Sequence, residues 1–152
     1  MKKTLLATAL AAVMLSVSCK KSADTGPSII GQWTLIESKN AMTGVITYEL
    51  GKGGTVEFTS DSYTFKYPTG TGFSVGKYGI EKVSLDTAMA YSGTSFIQKA
   101  GTIYGIKNAG DNQFAMFFYF EESTLVLVRG YYPTDGGSIN KYVRLQATTA
   151  AE

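Results

Sequence analysis

The chain has 152 residues, 44% of them hydrophobic and 17% charged, with 14 Lys and Arg against 12 Asp and Glu. That is room for one ordinary domain plus a short extra segment, and the hydrophobic fraction excludes a disordered chain. With no histidine and a single cysteine, Ser–His and Cys–His nucleophilic sites cannot be built, and a zinc site would need all-carboxylate ligation that zinc does not prefer.

The first element expected is a secretion signal over residues 1–18. Lys2 and Lys3 supply a positive start, Leu5 to Leu15 is an apolar run, and Ser16-Val17-Ser18 leads to Cys19. The run is shorter than the ~20 apolar residues of a spanning helix. The segment ending at Cys19 resembles a lipobox, in which lipid is joined to the cysteine thiol before cleavage; Ser16 stands where the usual pattern has Leu. The resemblance implies a lipoprotein anchored through acyl chains such as palmitate on Cys19. Lys20 is not the Asp that retains such proteins at an inner membrane, so the expected home is the outer membrane of a cell envelope. Residues 19–28 are small, polar and helix-averse, as a tether should be. Removing Lys2 and Lys3 from the 14 basic residues leaves 12 against 12 acidic ones. A neutral domain has no electrostatic case for binding nucleic acid or an anionic surface.

From residue 29 to 146 the chain reads as one all-β domain. Candidate strands are Gly31–Ser38, with Trp33 and Leu35 on one face, then Val45–Leu50, Thr55–Thr59 and Tyr63–Tyr67. Phe73–Val83 carries Gly76, a place for a bend or bulge. Leu85–Ser92 reads equally as helical turn or loop. Thr94–Gln98 and Thr102–Lys107 are further strands, and Asn108–Asn112 is a hairpin turn. Gln113–Phe120 is so apolar that it is buried on both faces or faces a cavity. Its alternation puts Phe114, Met116, Phe118 and Phe120 together, without saying whether that face points inward. Thr124–Gly130 and Ile139–Leu145 complete the set, and residues 147–152 are expected to form a polar, disordered tail.

About eight to ten short strands fit either a β-sandwich or a single antiparallel up-and-down barrel. The barrel is favoured because near-neighbour hairpins pair in order and closure removes exposed apolar edges. Gly31-Gln32-Trp33 is similar to the Gly-x-Trp signature of lipocalins, and Arg144 matches the basic residue that packs across that Trp. Val56 to Tyr63 resembles the TFxxDGxY hairpin of lipocalin-like domains on bacterial lipoproteins, with Ser62 in place of Gly. The Gly76-Lys77-Tyr78, Leu125-Val126-Leu127 and Tyr142-Val143-Arg144 segments follow in the expected order. The resemblance implies a lipocalin-like, calycin-type barrel in which Gly31, Trp33 and Arg144 are structural.

Small-molecule pockets are mostly apolar with a few polar groups, and tyrosine supplies both. Tyr63, Phe65, Tyr78 and Phe118 are therefore the candidate ligand-binding residues, and a small hydrophobic or amphipathic molecule the expected ligand. The same rings could instead fill a small barrel completely. The alternative function is a protein-interaction or inhibitor module acting through loops such as Tyr67–Gly72 and Tyr131–Gly137, the latter carrying Tyr131 and Tyr132 beside Arg129. Adjacent Glu121 and Glu122 read as a solvated turn, and Glu57 and Glu81 as outward strand positions. No catalytic, metal or cofactor residues are expected, and the chain is not expected to be an enzyme.

Overall fold

The computed structural model describes residues 28–67, 72–93, 101–132 and 136–145. The expected signal, Cys19, the tether up to residue 27, the strand expected at Thr94–Gln98 and the tail lie outside them. Nine strands and one helix follow in chain order: β1 Gly31–Asn40, β2 Gly44–Thr47, β3 Thr55–Phe58, β4 Ser62–Lys66, β5 Gly72–Val83, α1 Leu85–Ser92, β6 Ile103–Asn108, β7 Phe114–Glu121, β8 Thr124–Arg129 and β9 Ser138–Arg144.

Eight of the nine strands close a ring, β1-β3-β4-β5-β6-β7-β8-β9 and back to β1, each pair antiparallel. The fold is thus a barrel and not a sandwich. The seam is the β1–β9 pair, running from Trp33 opposite Arg144 to Asn40 opposite Ser138. On its other edge β1 changes partner. Residues 31–34 pair with β3, while 37–40 pair with β2, a hairpin arm outside the ring.

Strand periodicity sends alternate side chains into the barrel. Trp33, Val56, Phe58, Tyr63, Phe65, Ile106, Met116, Phe118, Leu125, Leu127 and Tyr142 form the interior core with Ile29. Each such burial stabilises by about 1.5–3 kcal/mol. The opposite faces of β6 to β9 carry a second apolar layer of Ile103, Phe117, Tyr119, Val126, Val128 and Ile139, packed with Ala88 of α1. This explains the unbroken apolar runs of β7 and β8. In β8, Leu125 and Leu127 face inward while Val126 and Val128 face outward, and all four are at most 1% exposed.

Residues 85–92, which the sequence leaves open, are helical because both ends are capped. The Ser84 hydroxyl oxygen accepts the Thr87 N–H at 3.1 Å, and Gly93 in the left-handed conformation donates its N–H to the Met89 carbonyl at 2.8 Å. The face against the barrel is made by small Ala88 and Ser92, one helical turn apart and both buried. A stripe so short and so weakly apolar leaves no visible helical period.

Bulges decide which residues meet inside. In β1 the register slips between Leu35 and Glu37 against β9. Ile36 is the extra residue, so Leu35 opposite Tyr142 and Ser38 opposite Asn140 both keep the interior parity. In the β6–β7 pair Lys107 stands opposite Phe114 and Ile106 opposite Met116, which makes Ala115 the extra residue. The simple alternation of Gln113–Phe120 is corrected there. Met116, Phe118 and Phe120 belong to the interior, whereas Phe114 turns outward onto Gly105 and the layer beneath α1. Gly76 sits at a third slip, between β4 and β5, with a φ of 61°.

Candidate functional site

One end of the barrel is sealed by the residues that carry the family likeness. The Arg144 guanidinium lies 4.3 Å from the centre of the Trp33 ring. Its Nη1 donates to the Ile30 carbonyl at 2.7 Å and its Nη2 to the Ser28 carbonyl at 2.9 Å. Trp33 Nε1 donates to the Ile29 carbonyl at 2.7 Å. The lead-in from Ser28 to Ile30 is thereby fastened across the barrel floor by a cation–π contact and charge-assisted hydrogen bonds. Gly31 makes this approach possible. Its φ is 127°, and a Cβ there would stand 2.6 Å from Arg144 Nη1.

Above the floor the interior is filled. Phe120 packs on Trp33 at 5.9 Å between ring centres, Tyr104 stacks on Phe118 at 5.0 Å, and Phe58, Tyr63 and Tyr78 contact one another at 5.8 to 6.0 Å. Two of these tyrosine hydroxyls have partners in the chain. Tyr63 donates to Asn108 Oδ1 at 3.1 Å and Tyr78 to the Thr59 carbonyl at 2.9 Å. Burial pushes both phenols above their ordinary range; Arg129 pulls Tyr63 back, and Asp61 adds to the rise at Tyr78.

The other end differs. Where β1 and β4 finish, β8 ends and β9 begins, the interior opens into a cavity of about 230 Å³. Leu35, Phe65, Tyr48, Tyr67 and Tyr142 supply its apolar surface. Ser38, Ser138 and Asn140 supply a polar edge, in which Ser38 Oγ donates to Asn140 Oδ1 at 2.7 Å and Asn140 Nδ2 to Ser138 Oγ at 3.1 Å. Arg129, on the inward face of β8, brings a charge, and Lys66 lines the rim from the outward face of β4. The Arg129 guanidinium sits 4.7 Å from the centre of the Phe65 ring. Tyr142 forms the floor, and burial drives its phenol well above the usual range although Arg129 acts in the opposite direction.

Of the four candidate ligand residues, Phe65 lines this cavity, whereas Tyr63, Tyr78 and Phe118 belong to the packed interior beneath it. The loop aromatics separate too. Tyr131 is exposed, while Tyr132 is half-buried on the outer layer, its N–H bonded to the Ser92 carbonyl at 2.9 Å and its ring 5.7 Å from Lys39 Nζ. Glu37 and Glu121 do converge, but on Lys141, at 3.7 and 3.3 Å. Among the described residues no three His, Cys, Asp or Glu side chains are grouped to hold a metal ion.

Reading along the sequence missed Arg129, Ser38 and Asn140 as cavity residues. For Arg129 a signal was present, since Leu125-Val126-Leu127-Val128-Arg129 alternates and puts Arg129 on the face of the two leucines. For Ser38 there was none, because its inward position depends on the bulge at Ile36.

No family model matches the chain, and no curated protein or solved structure matches it either. What the structure itself defines is a closed eight-stranded antiparallel barrel, consistent with a calycin-like fold, sealed at one end and open at the other.

Proposed function

We propose that this chain is a lipid-anchored protein of the cell envelope whose barrel binds a small hydrophobic or amphipathic ligand in its open end. The observation that carries the binding reading is the cavity of about 230 Å³, lined by aromatic and aliphatic side chains and by the hydrogen-bonded Ser38, Asn140 and Ser138. A barrel of this strand number is just wide enough for one small ligand. The anchor reading rests on residues 1–19, with Cys19 as the lipidated residue and the outer membrane as the site of attachment.

Native mass spectrometry of the mature protein extracted from membranes tests the first part. A stoichiometric small molecule that is lost from a Ser38→Trp variant supports it, and a bare polypeptide mass in gently extracted samples counts against it. Fractionation tests the second part. Cys19→Ser is expected to move the protein to soluble fractions and to abolish incorporation of labelled palmitate, and persistent membrane attachment would refute the anchor. A second reading, a protein-interaction or inhibitor module, draws on the exposure of Tyr67 at the cavity rim and of Tyr131 in the β8–β9 loop. It requires a partner whose capture is lost when both tyrosines become serine while the melting temperature is kept.

A further inference from the structure

We propose that β2 is a docking edge for a second copy of this chain, the two arms pairing antiparallel across a two-fold axis centred on Ile46. The pairing is independent of what the cavity binds. Closure leaves the eight-stranded ring without edges, but β2 lies outside it. It is the terminal strand of the sheet, and among the described residues no strand pairs with its outer side. All four of its residues are exposed. From Ala41 to Tyr48 the arm has no charged residue and no proline, the usual means of blocking a free edge. It displays instead Met42, Val45, Ile46 and Leu50, which are 72, 56, 40 and 71% exposed.

The backbone of the arm sets the register. Tyr48 N–H donates to the Ile36 carbonyl at 2.9 Å, and Gly44, Val45, Ile46 and Thr47 stand opposite Asn40, Lys39, Ser38 and Glu37. Hydrogen-bonded and non-bonded pairs alternate along an antiparallel ladder. Gly44 and Ile46 therefore turn their N–H and C=O groups toward β1, whereas Val45 and Thr47 turn theirs outward. A copy related by the two-fold sets Val45 opposite the partner's Thr47, and Thr47 opposite the partner's Val45. Each of these pairs exchanges two hydrogen bonds, so every outward backbone group of the strand is satisfied. The same register places Ile46 on the partner's Ile46 and Met42 level with the partner's Leu50. A slip of one residue would set outward groups against inward ones and break the ladder.

Charge agrees with this pairing. On the face of Val45 the row across four strands runs Lys39, Val45, the partner's Thr47 and the partner's Glu37, so its ends carry opposite signs and no like charges are brought together. Ile46 shares the face of Ser38, which lines the cavity. The two cavities therefore lie on the same side of the joined sheet. A single short strand pair falls below the ~1,200 Å² of a standard stable interface, so the dimer is a weak one, with a dissociation constant in the micromolar range or above.

The test is sedimentation velocity, from micromolar to millimolar concentration, on the mature chain carrying Cys19→Ser, which removes its only thiol and the proposed lipid site. A reversible monomer–dimer equilibrium is expected. Ile46→Lys, which faces its own charge across the axis, should weaken it at least about tenfold with the melting temperature kept, because β2 is not part of the ring. Tyr131→Ser, at an exposed residue of the β8–β9 loop, should leave it unchanged. Cross-linking reads the register. Ile46→Cys in the same background should give a disulfide-linked dimer on mild oxidation, since Cα atoms of a facing non-bonded pair lie about 4.5 Å apart. Thr43→Cys should not, its two copies standing about 20 Å apart along the strands. A chain that stays monomeric at every concentration overturns the proposal and leaves the edge to a strand from a different protein. A dimer that Ile46→Lys does not weaken, or that Thr43→Cys links as readily as Ile46→Cys, overturns it too.

Discussion

The two ends of this barrel are built from the same kind of position, inward residues of antiparallel strands, and they differ in what occupies them. Toward the floor the inward positions hold Trp33, Phe58, Tyr63, Phe118 and Phe120, whose rings fill the space. Toward the mouth, aromatic Phe65 and Tyr142 share the lining with Ser38, Ser138 and Asn140, whose short side chains leave the space that is the cavity. The contrast is one of side-chain volume, not of hydrophobicity alone. A filled half contributes stability. A half that leaves room, and puts a guanidinium beside it, gives up packing where a ligand can replace it.

Substitutions that act on one end and spare the other sharpen this contrast. The largest loss is expected at the floor. Trp33→Ala should cost about 3–5 kcal/mol, enough to unfold much of the population, read by denaturant midpoint. If it costs no more than a mouth substitution, the filled half is not what stabilises the barrel. Gly31→Ala comes next, at about 1–3 kcal/mol, because alanine must adopt a backbone conformation reserved for glycine while its Cβ presses on Arg144. In a double-mutant cycle with Arg144→Ala the two losses should be less than additive, the Cβ clash having gone. At the mouth, Ser38→Ala should cost only about 0.5–1.5 kcal/mol, the value of its hydrogen bond to Asn140.

The smallest effect at neutral pH belongs to Tyr142, and it grows in alkali. Burial raises the folded pKa of Tyr142 above that of the unfolded chain, with Arg129 opposing, and burial followed by Glu121 pushes Tyr119 up to about 12. A raised pKa means that the folded chain keeps a proton which the unfolded chain releases above about pH 10. The stability is therefore fully present below that pH and is lost as pH rises toward the folded values. Tyr142→Phe should flatten the fall in melting temperature between pH 9 and about 11 without removing it, since Tyr119 contributes in the same direction. An unchanged alkaline slope would show that Tyr142 is not held neutral in the fold.

The floor was the most legible part of the molecule. Gly31, Trp33 and Arg144 carry their arrangement in residue type and order, and the structure brings all three into contact. The strands were legible wherever apolar and polar residues alternate, as in β3 and β4. Helix α1 was only half legible, because its buried face is Ala88 and Ser92, neither of which announces an apolar stripe. The mouth was the least legible. One extra residue in a strand inverts the parity of everything beyond it, so Ile36 determines that Ser38 faces inward and Ala115 that Phe114 faces outward. A cavity is also a property of closure. Leu35 and Ser38 meet Asn140 and Tyr142 only because β1 pairs with β9, strands about a hundred residues apart in the chain.

The most direct test of a sealed floor beneath a ligand-binding mouth is a two-dimensional amide NMR titration of the mature chain with benzyl alcohol, a small amphipathic probe. Saturable shifts confined to the backbone around Leu35, Ser38, Phe65, Arg129, Asn140 and Tyr142, with Trp33, Phe58 and Phe118 unmoved, are the expected result. Shifts centred on Trp33 and Phe118, or no saturable shift anywhere, would contradict it.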